Sequence, residues 1–226
     1  MTLDPLPLNT VVGAFLLAFP ALFSIVNPLG AALTFHQVTE GRGDRHALAW
    51  RIAVYALFIL LGSLLLGSYI LGFFGVSLGA LRVAGGLVVA IRAWSLLMDP
   101  EVQEDRKANA AAPAEKAHDD VAFFPLTMPF TTGPGAISVA IALSSQRPAE
   151  GHGVLTFFIG VSLAAVLVAL MVGVFYRWSS VVLSMLGRSG ARVLSRLVAF
   201  LLLCVGVQII SSGLESLVPT YLKAAT

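Results

Sequence analysis

The chain has 226 residues, of which 58% are hydrophobic and 12% are charged, whereas a typical soluble domain carries about 25% charged residues. A soluble protein of this length could not bury so much apolar surface. The composition therefore excludes the soluble classes and indicates an integral membrane protein that has membrane lipid as its apolar partner. The net charge is only +2, and basic residues do not cluster with aromatic ones, which argues against nucleic acid as a partner.

Three long stretches of the chain contain no Lys, Arg, Asp or Glu. They lie between Asp4 and Glu40, between Arg51 and Arg82, and between Asp120 and Arg147. Each is longer than the roughly 20 residues with which an α-helix crosses the hydrocarbon core of a bilayer. The sequence predicts an all-α, multi-pass membrane protein whose six transmembrane helices lie at about residues 9–38, 50–72, 80–98, 121–146, 154–176 and 195–217.

The longest polar segment is 99–120, which holds seven acidic residues together with Arg106, Lys107 and Lys116. It also contains a run of alanines and Pro113. A composition this polar and poor in large apolar residues is typical of a solvated linker. We interpret 99–120 as the linker between two halves of three helices each, residues 1–98 and 121–226.

The basic residues in the connections and at the adjoining ends of the predicted helices are unevenly distributed between the two sides of the membrane. One side carries Arg42, Arg45, Arg51, Arg106, Lys107, Lys116, Arg177, Arg188, Arg192 and Arg196. The other side carries Arg82, Arg147 and Lys223. Because positive residues stay in the cytoplasm, we expect the linker to be cytoplasmic and both termini to be extracytoplasmic, in a plasma (inner) membrane.

Two of the predicted helices are interrupted, and the interruptions correspond. The first reads Asn27-Pro28-Leu29-Gly30-Ala31 and the second Thr132-Gly133-Pro134-Gly135-Ala136. Because three helices is an odd number, the second half must enter the membrane from the opposite side. This pattern predicts two inverted three-helix repeats with broken first helices, as in many secondary transporters. The alternative is that each proline only kinks a continuous helix.

A helix break inside a membrane has definite chemical consequences. Proline lacks an N–H and frees carbonyls before it, while the helix that follows points unpaired N–H groups and its positive end into the gap. Such an end can hold a carboxylate without any charged side chain. The substrate-binding residues predicted at the breaks are Ser24, Asn27, Pro28, Gly30, Ala31, Thr131, Thr132, Gly133, Pro134, Gly135 and Ser138.

Four other residues are candidates for weaker roles. Arg82 and Gln208 are predicted to line the pathway or a gate, with headgroup contact by Arg82 and interhelical hydrogen bonding by Gln208 as alternatives. Arg92 is expected to extend towards Asp99 rather than to line the pathway. His36 could titrate near neutral pH, although a simple position at the membrane interface also explains it.

Several of these segments resemble the MarC family, a group of six-helix membrane proteins that are also classed as neutral amino acid transporters. The similar segments are Asn27-Pro28-Leu29-Gly30-Ala31, residues 124–138, Arg82-Val83-Ala84-Gly85-Gly86 and Gly206-Val207-Gln208. The resemblance covers essentially the whole chain. It implies an inner-membrane protein with inverted repeats and, for at least some members, uptake of small neutral amino acids such as glycine or alanine.

Together, the breaks and the resemblance favour a secondary transporter that binds a small neutral amino acid as a zwitterion at the paired breaks. The alternatives are a non-transporting interaction or assembly protein, and an exporter or channel for another small solute. No HExxH motif, Walker loop or pair of intramembrane carboxylates is present, so neither an enzyme nor a metal or cofactor is predicted. The coupling ion, Na⁺ or H⁺, and the oligomeric state are left open.

The predicted orientation can be measured with reporter fusions. A reporter inserted at Lys107 and one fused after Thr226 should give opposite signals, cytoplasmic for the first and extracytoplasmic for the second, because ten basic residues face one side and three the other. The same signal from both positions would contradict the orientation.

Overall fold

The structure is a computed structural model that describes residues 8–39, 42–98, 121–148 and 153–224. These residues form eight helical elements and no strand. In chain order the elements are α1 (Val11–Val26), α2 (Pro28–Val38), α3 (Arg45–Phe73), α4 (Leu78–Met98), α5 (Ala122–Thr131), α6 (Pro134–Ser144), α7 (Val154–Arg177) and α8 (Ser179–Ala224).

The described helices are long and apolar enough to cross a membrane. Five spans satisfy this test singly, and they are Val11–Ala32, Arg45–Ile70, Gly79–Met98, Val154–Arg177 and Ala199–Leu217. The elements α5 and α6 satisfy it as a pair that is bent by 64°. The prediction of an all-α membrane protein is confirmed, with up to six spans in the described part of the chain.

Two helices extend beyond their predicted bounds. Helix α3 begins at Arg45 rather than near residue 50, and α8 begins at Ser179 rather than near residue 195. The prediction took charged residues as helix ends, but the hydrogen bonds of a helix do not require apolar side chains, so a helix can continue beyond the hydrocarbon core. The basic segment predicted as a connection before residue 195 is therefore helical. The predicted linker 99–120 lies outside the described residues.

The first span is broken at the predicted place. Asn27 separates α1 from α2 and adopts a left-handed conformation, with φ 47° and ψ 61°. Asparagine tolerates this conformation better than most residues. Pro28 then begins α2, where its missing N–H costs nothing because the first N–H groups of a helix have no partner within the helix. The α-helical hydrogen-bond pattern stops and restarts within one residue.

The element α5 has the wide, i to i+5 hydrogen-bond repeat of a π-helix and is itself irregular. Phe124 and Met128 have extended backbones and precede Pro125 and Pro129 through cis peptide bonds. A residue before proline is restricted to extended conformations. The hydroxyl of Thr127 donates to the Ala122 carbonyl at 2.6 Å, so a side chain bonds a backbone carbonyl in this irregular segment.

Large apolar side chains cover the outer faces of the helices. Phe58, Leu155 and Leu197 are 69%, 74% and 60% exposed. A water-soluble surface does not carry this many exposed large apolar residues, whereas lipid solvates them. The interior is built around α7, whose buried face carries Val161, Val168 and other small apolar residues and which packs against α1, α2 and α3.

The most extensive helix contact, between α4 and α8, depends on glycines. A methyl group on Gly206 would lie 2.8 Å from the backbone nitrogen of Ala90, and one on Gly86 would lie 2.8 Å from the backbone nitrogen of Ile210. A methyl group on Gly213 would lie as close to Val83. Small residues let membrane helices approach closely where lipid supplies no hydrophobic drive for association. The two backbones are thus in direct contact.

This close approach predicts a stability difference between two glycine-to-alanine variants. Gly206→Ala should destabilise the protein by about 1–3 kcal/mol, because the added methyl group overpacks the contact with α4. Gly62→Ala is the matched control, since nothing lies within 4 Å of the added methyl group and alanine favours helix by up to about 1 kcal/mol. Melting temperatures in one detergent test this, and equal values for the two variants would contradict the packing.

Candidate functional site

The second break ends one helix and starts another around a single extended residue. Gly133 has φ −73° and ψ 178°, and Pro134 follows as the first residue of α6. The Gly133 carbonyl accepts from the N–H groups of Ala136, at 2.9 Å, and Ile137, at 3.2 Å. The Gly135 N–H lies in the first turn, where no earlier carbonyl of α6 can accept it. The positive end of α6 therefore starts at this break.

A cavity of about 140 Å³ lies at this end of α6. Its walls come from α1, α4, α5 and α6, so elements distant in the sequence enclose it. The residues that line it are Ile25, Arg92, Leu96, Pro129, Thr131, Gly133, Pro134, Gly135 and Ala136. Four of the predicted substrate-binding residues are among them: Thr131, Gly133, Pro134 and Gly135.

Arg92 of α4 lies beside the first turn of α6. A methyl group built on Gly135 would be 3.5 Å from Arg92 Nε and 3.7 Å from Cζ. In the described part of the chain the one ion pair is Arg42–Asp44, so no described carboxylate neutralises Arg92. A guanidinium and the positive end of a helix converge on one cavity, and that combination favours an anion.

The expectation that Arg92 extends towards Asp99 involves a residue outside the described part of the chain. Sequence reasoning ranked Arg92 below the residues of the breaks. A signal was present, since Arg92 lies within the span Gly79–Met98 and an ionisable residue inside a span is a functional candidate by default. The proximity of Arg92 to Gly135 could not be predicted from the sequence, because it joins residues from different halves of the chain.

The remaining predicted residues of the second break bond to the backbone. The Thr132 hydroxyl donates to the Thr127 carbonyl at 3.3 Å, and Thr132 is fully buried. The Ser138 hydroxyl donates to the Pro134 carbonyl at 2.7 Å. Neither residue lines the cavity. The two hydroxyls donate to backbone carbonyls of α5 and α6, respectively.

The first break is closed by its own residues. Asn27 Oδ1 accepts from the Gly30 N–H at 3.3 Å, and the Asn27 carbonyl accepts from the Ala31 N–H at 2.9 Å. Ser24 and Ala31 are buried. None of the predicted residues Ser24, Asn27, Pro28, Gly30 and Ala31 lines the cavity, although their neighbour Ile25 does. The two breaks are therefore not equivalent in this structure.

Arg82 and Gln208, the predicted pathway residues, lie away from the cavity. Arg82 Nε donates to the Ser145 carbonyl at 2.8 Å, and Nη2 donates to the Arg147 carbonyl at 2.9 Å. These carbonyls follow α6, where a helix leaves its last carbonyls without partners. Arg82 thus attaches α4 to the far end of α6. Gln208 is exposed on α8.

Tyr176 of α7 connects the two broken spans. Its hydroxyl lies 3.0 Å from Thr131 Oγ1, and because that atom already donates to the Leu126 carbonyl, the tyrosine is the donor. Its ring stacks on Phe35 of α2, with ring centroids 4.5 Å apart. Tyr176 is fully buried. One side chain therefore contacts both the helix after the first break and the wall of the cavity.

The Tyr176 hydroxyl can be removed without changing the stacking. Tyr176→Phe should lower the free energy of unfolding by about 1 kcal/mol, the contribution of one buried hydrogen bond. Tyr69→Phe, at a tyrosine that is 49% exposed, is the matched control and should change little. Denaturation in detergent measures both, and a Tyr176→Phe protein as stable as the control would show that the hydrogen bond contributes nothing.

Comparison with known proteins agrees with the membrane fold. Residues 12–218 match the family described as "MarC family integral membrane protein". No solved structure shows significant similarity to the chain.

Three curated relatives illustrate the match. A "UPF0056 membrane protein" of Methanocaldococcus jannaschii is 34% identical over 206 residues, which cover 89% of this chain and 96% of the relative. One of Archaeoglobus fulgidus is 34% identical over 202 residues, covering 88% and 92%. The Escherichia coli "UPF0056 inner membrane protein MarC" is 30% identical over 212 residues, covering 91% and 96%. The chain belongs to the MarC family of integral membrane proteins.

Proposed function

We propose that the protein is a secondary transporter of small neutral amino acids such as glycine or alanine, located in the plasma (inner) membrane. The observation that carries the proposal is the convergence of Arg92 and the positive end of α6 on one cavity. A cation inside a membrane span costs free energy, so such a residue is a candidate for a functional role. A solute that supplies a carboxylate would neutralise it.

The carboxylate of the substrate is assigned to Arg92 and the first turn of α6. The guanidinium offers charged donors, and the Gly135 N–H adds a backbone donor. A methyl group added to Gly135 would lie at ordinary contact distance from Arg92 and Ile25. A carboxylate would occupy the space that this missing side chain leaves.

The ammonium of the substrate is assigned to the end of α5. A backbone carbonyl in this segment can accept a hydrogen bond from an ammonium. Pro129, one of the residues of α5, lines the cavity, and its carbonyl lies 2.6 Å from the position of a methyl group on Gly133. The positive end of α6 and Pro129 of α5 border one cavity, which suits a zwitterion.

The size of the cavity favours a small substrate. Its volume is about 140 Å³, whereas clefts for drug-sized ligands measure about 300–1,000 Å³. The walls beside Arg92 and the break are apolar, with Ile25, Leu96 and Ala136. A hydrogen or a methyl group would fit against them, and a charged side chain would not.

The packing of the helices supports an inverted-repeat origin. Halves related by a two-fold axis would pair α1 with α7 as they pair α5 with α3. They would also pair α2 with α7 as they pair α6 with α3, and all four pairs are in contact. The same axis would pass between α4 and α8, which run antiparallel, since Gly79 lies near Ser216 and Gly206 near Ala90. Alternating access by movement of one half against the other is the mode that such architectures use.

The substrate assignment is tested with the purified protein. Arg92→Gln should weaken glycine binding roughly 10- to 100-fold, because a charge-assisted hydrogen bond contributes about 1.5–3 kcal/mol. Arg196→Gln, at an exposed arginine of α8 away from the cavity, is the matched control. Alanine should bind and alaninamide, which lacks the carboxylate, should not. Calorimetry measures binding, and proteoliposome uptake of labelled glycine measures transport.

Gly135→Val provides an independent arm of the same test. The larger side chain should fill the space beside Arg92 and abolish binding while the melting temperature stays close to wild type, because the methyl position meets only ordinary contacts. Wild-type affinity in a stable Gly135→Val or Arg92→Gln protein would overturn the assignment.

A further inference from the structure

A polar junction, distinct from the cavity, lies where α2, α3 and α8 meet. His36 is in the last turn of α2, Arg45 is the first residue of α3 and Ser179 is the first residue of α8. Arg45 Nη1 lies 3.4 Å from His36 Nδ1, and Ser179 Oγ lies 3.3 Å from the same nitrogen. One ring nitrogen therefore holds the ends of three helices together.

The contact with Arg45 indicates that His36 Nδ1 acts as an acceptor. A guanidinium can only donate hydrogen bonds, so Nδ1 must carry a lone pair and the ring proton must be on Nε2. The Ser179 hydroxyl, which is 1% exposed, can donate to the same lone pair. The junction as observed requires a neutral imidazole.

We propose that His36 is a proton-binding site that controls the attachment of α2 to α3. A proton from water binds the Nδ1 lone pair, and no other covalent bond changes. The resulting N–H cannot accept from Arg45, and a positive imidazolium then faces a guanidinium. It can donate to the Ser179 hydroxyl, which accepts as well as donates. Protonation therefore breaks the contact with Arg45, reverses the hydrogen bond with Ser179 and loosens the end of α2 from α3.

The freed helix end is connected to the cavity. Phe35, the residue before His36, stacks on Tyr176, and the Tyr176 hydroxyl bonds Thr131 in the cavity wall. Movement of α2 therefore reaches the candidate substrate site through two contacts. The link between proton binding and transport, with H⁺ as the coupling ion, rests on the proposed function. The structural response to protonation does not depend on the proposed function.

The other charged groups around the junction do not titrate where histidines do, between about pH 5 and pH 8. Arg45 and Arg177, at the end of α7, stay positive throughout this range. Hydrogen bonds from Arg42 at 3.1 Å hold the pKa of Asp44 below its usual range. Asp44 therefore stays ionised. His46, exposed on α3, is the other described histidine and serves as a control.

Hydrogen–deuterium exchange of the full-length protein tests the proton site without any substrate. Corrected for intrinsic rates, amides in the last turn of α2 should exchange about tenfold faster at about pH 5 than at about pH 8. His36→Asn keeps an acceptor near Nδ1 but cannot titrate, so its exchange should not respond to pH. His46→Asn should respond like wild type. Unchanged wild-type protection, or an equal response in His36→Asn, would overturn the proposal.

A further variant and a transport measurement complete the experiment. If His36→Asn does not fold, Arg45→Gln removes the repelling charge and should reduce the pH response below that of wild type, whereas an undiminished response would contradict the mechanism. Glycine uptake is measured on the same variants. A pH-dependent exchange with pH-independent uptake would overturn the coupling to transport alone. An absence of uptake at every pH would refute the proposed function and leave the exchange result to decide the proton site.

Discussion

Backbone N–H and carbonyl groups need partners inside the protein wherever a helix stops within a membrane, because hydrocarbon offers none. Each break in this protein meets that requirement differently. At the first break Asn27 bonds the start of α2 with its own side chain. In α5, threonine hydroxyls bond the carbonyls of an irregular helix. The start of α6 instead opens into a cavity beside Arg92, and its first N–H groups have no acceptor within α6.

Close helix packing makes such breaks stable. The glycines of α4 and α8 bring two backbones into contact, and Gly160 of α7 likewise lies against α1, where an added methyl group would meet the Val11 carbonyl and Ala14. Interfaces this tight leave few ways for the helices to shift by small amounts, because packed interiors are close to crystal density. The short helices α2 and α6 end at breaks or at polar junctions.

Both short helices are held at their far ends by polar contacts from other helices. Arg82 of α4 bonds the carbonyls that follow α6. His36, at the end of α2, is held by Arg45 of α3 and Ser179 of α8. Tyr176 lies between the two systems, since its ring contacts α2 and its hydroxyl contacts α5. Buried contacts of Tyr176 therefore connect α2 with α5, the element that precedes α6.

The sequence by itself determined the membrane class, most of the spans and the positions of both breaks. Uncharged stretches of about 20 residues and the local chemistry of Asn27-Pro28 and Gly133-Pro134 act within a few residues, so they can be read without knowing any tertiary contact. The ends of α3 and α8 were missed because charge marks the edge of the bilayer and not the end of a helix. Only the tertiary structure decided that the first break closes on itself while the second borders a cavity. It likewise decided that Arg92 lies at Gly135 and Arg82 at the end of α6, because these contacts join residues from different halves of the chain, and no local pattern encodes which helices become neighbours.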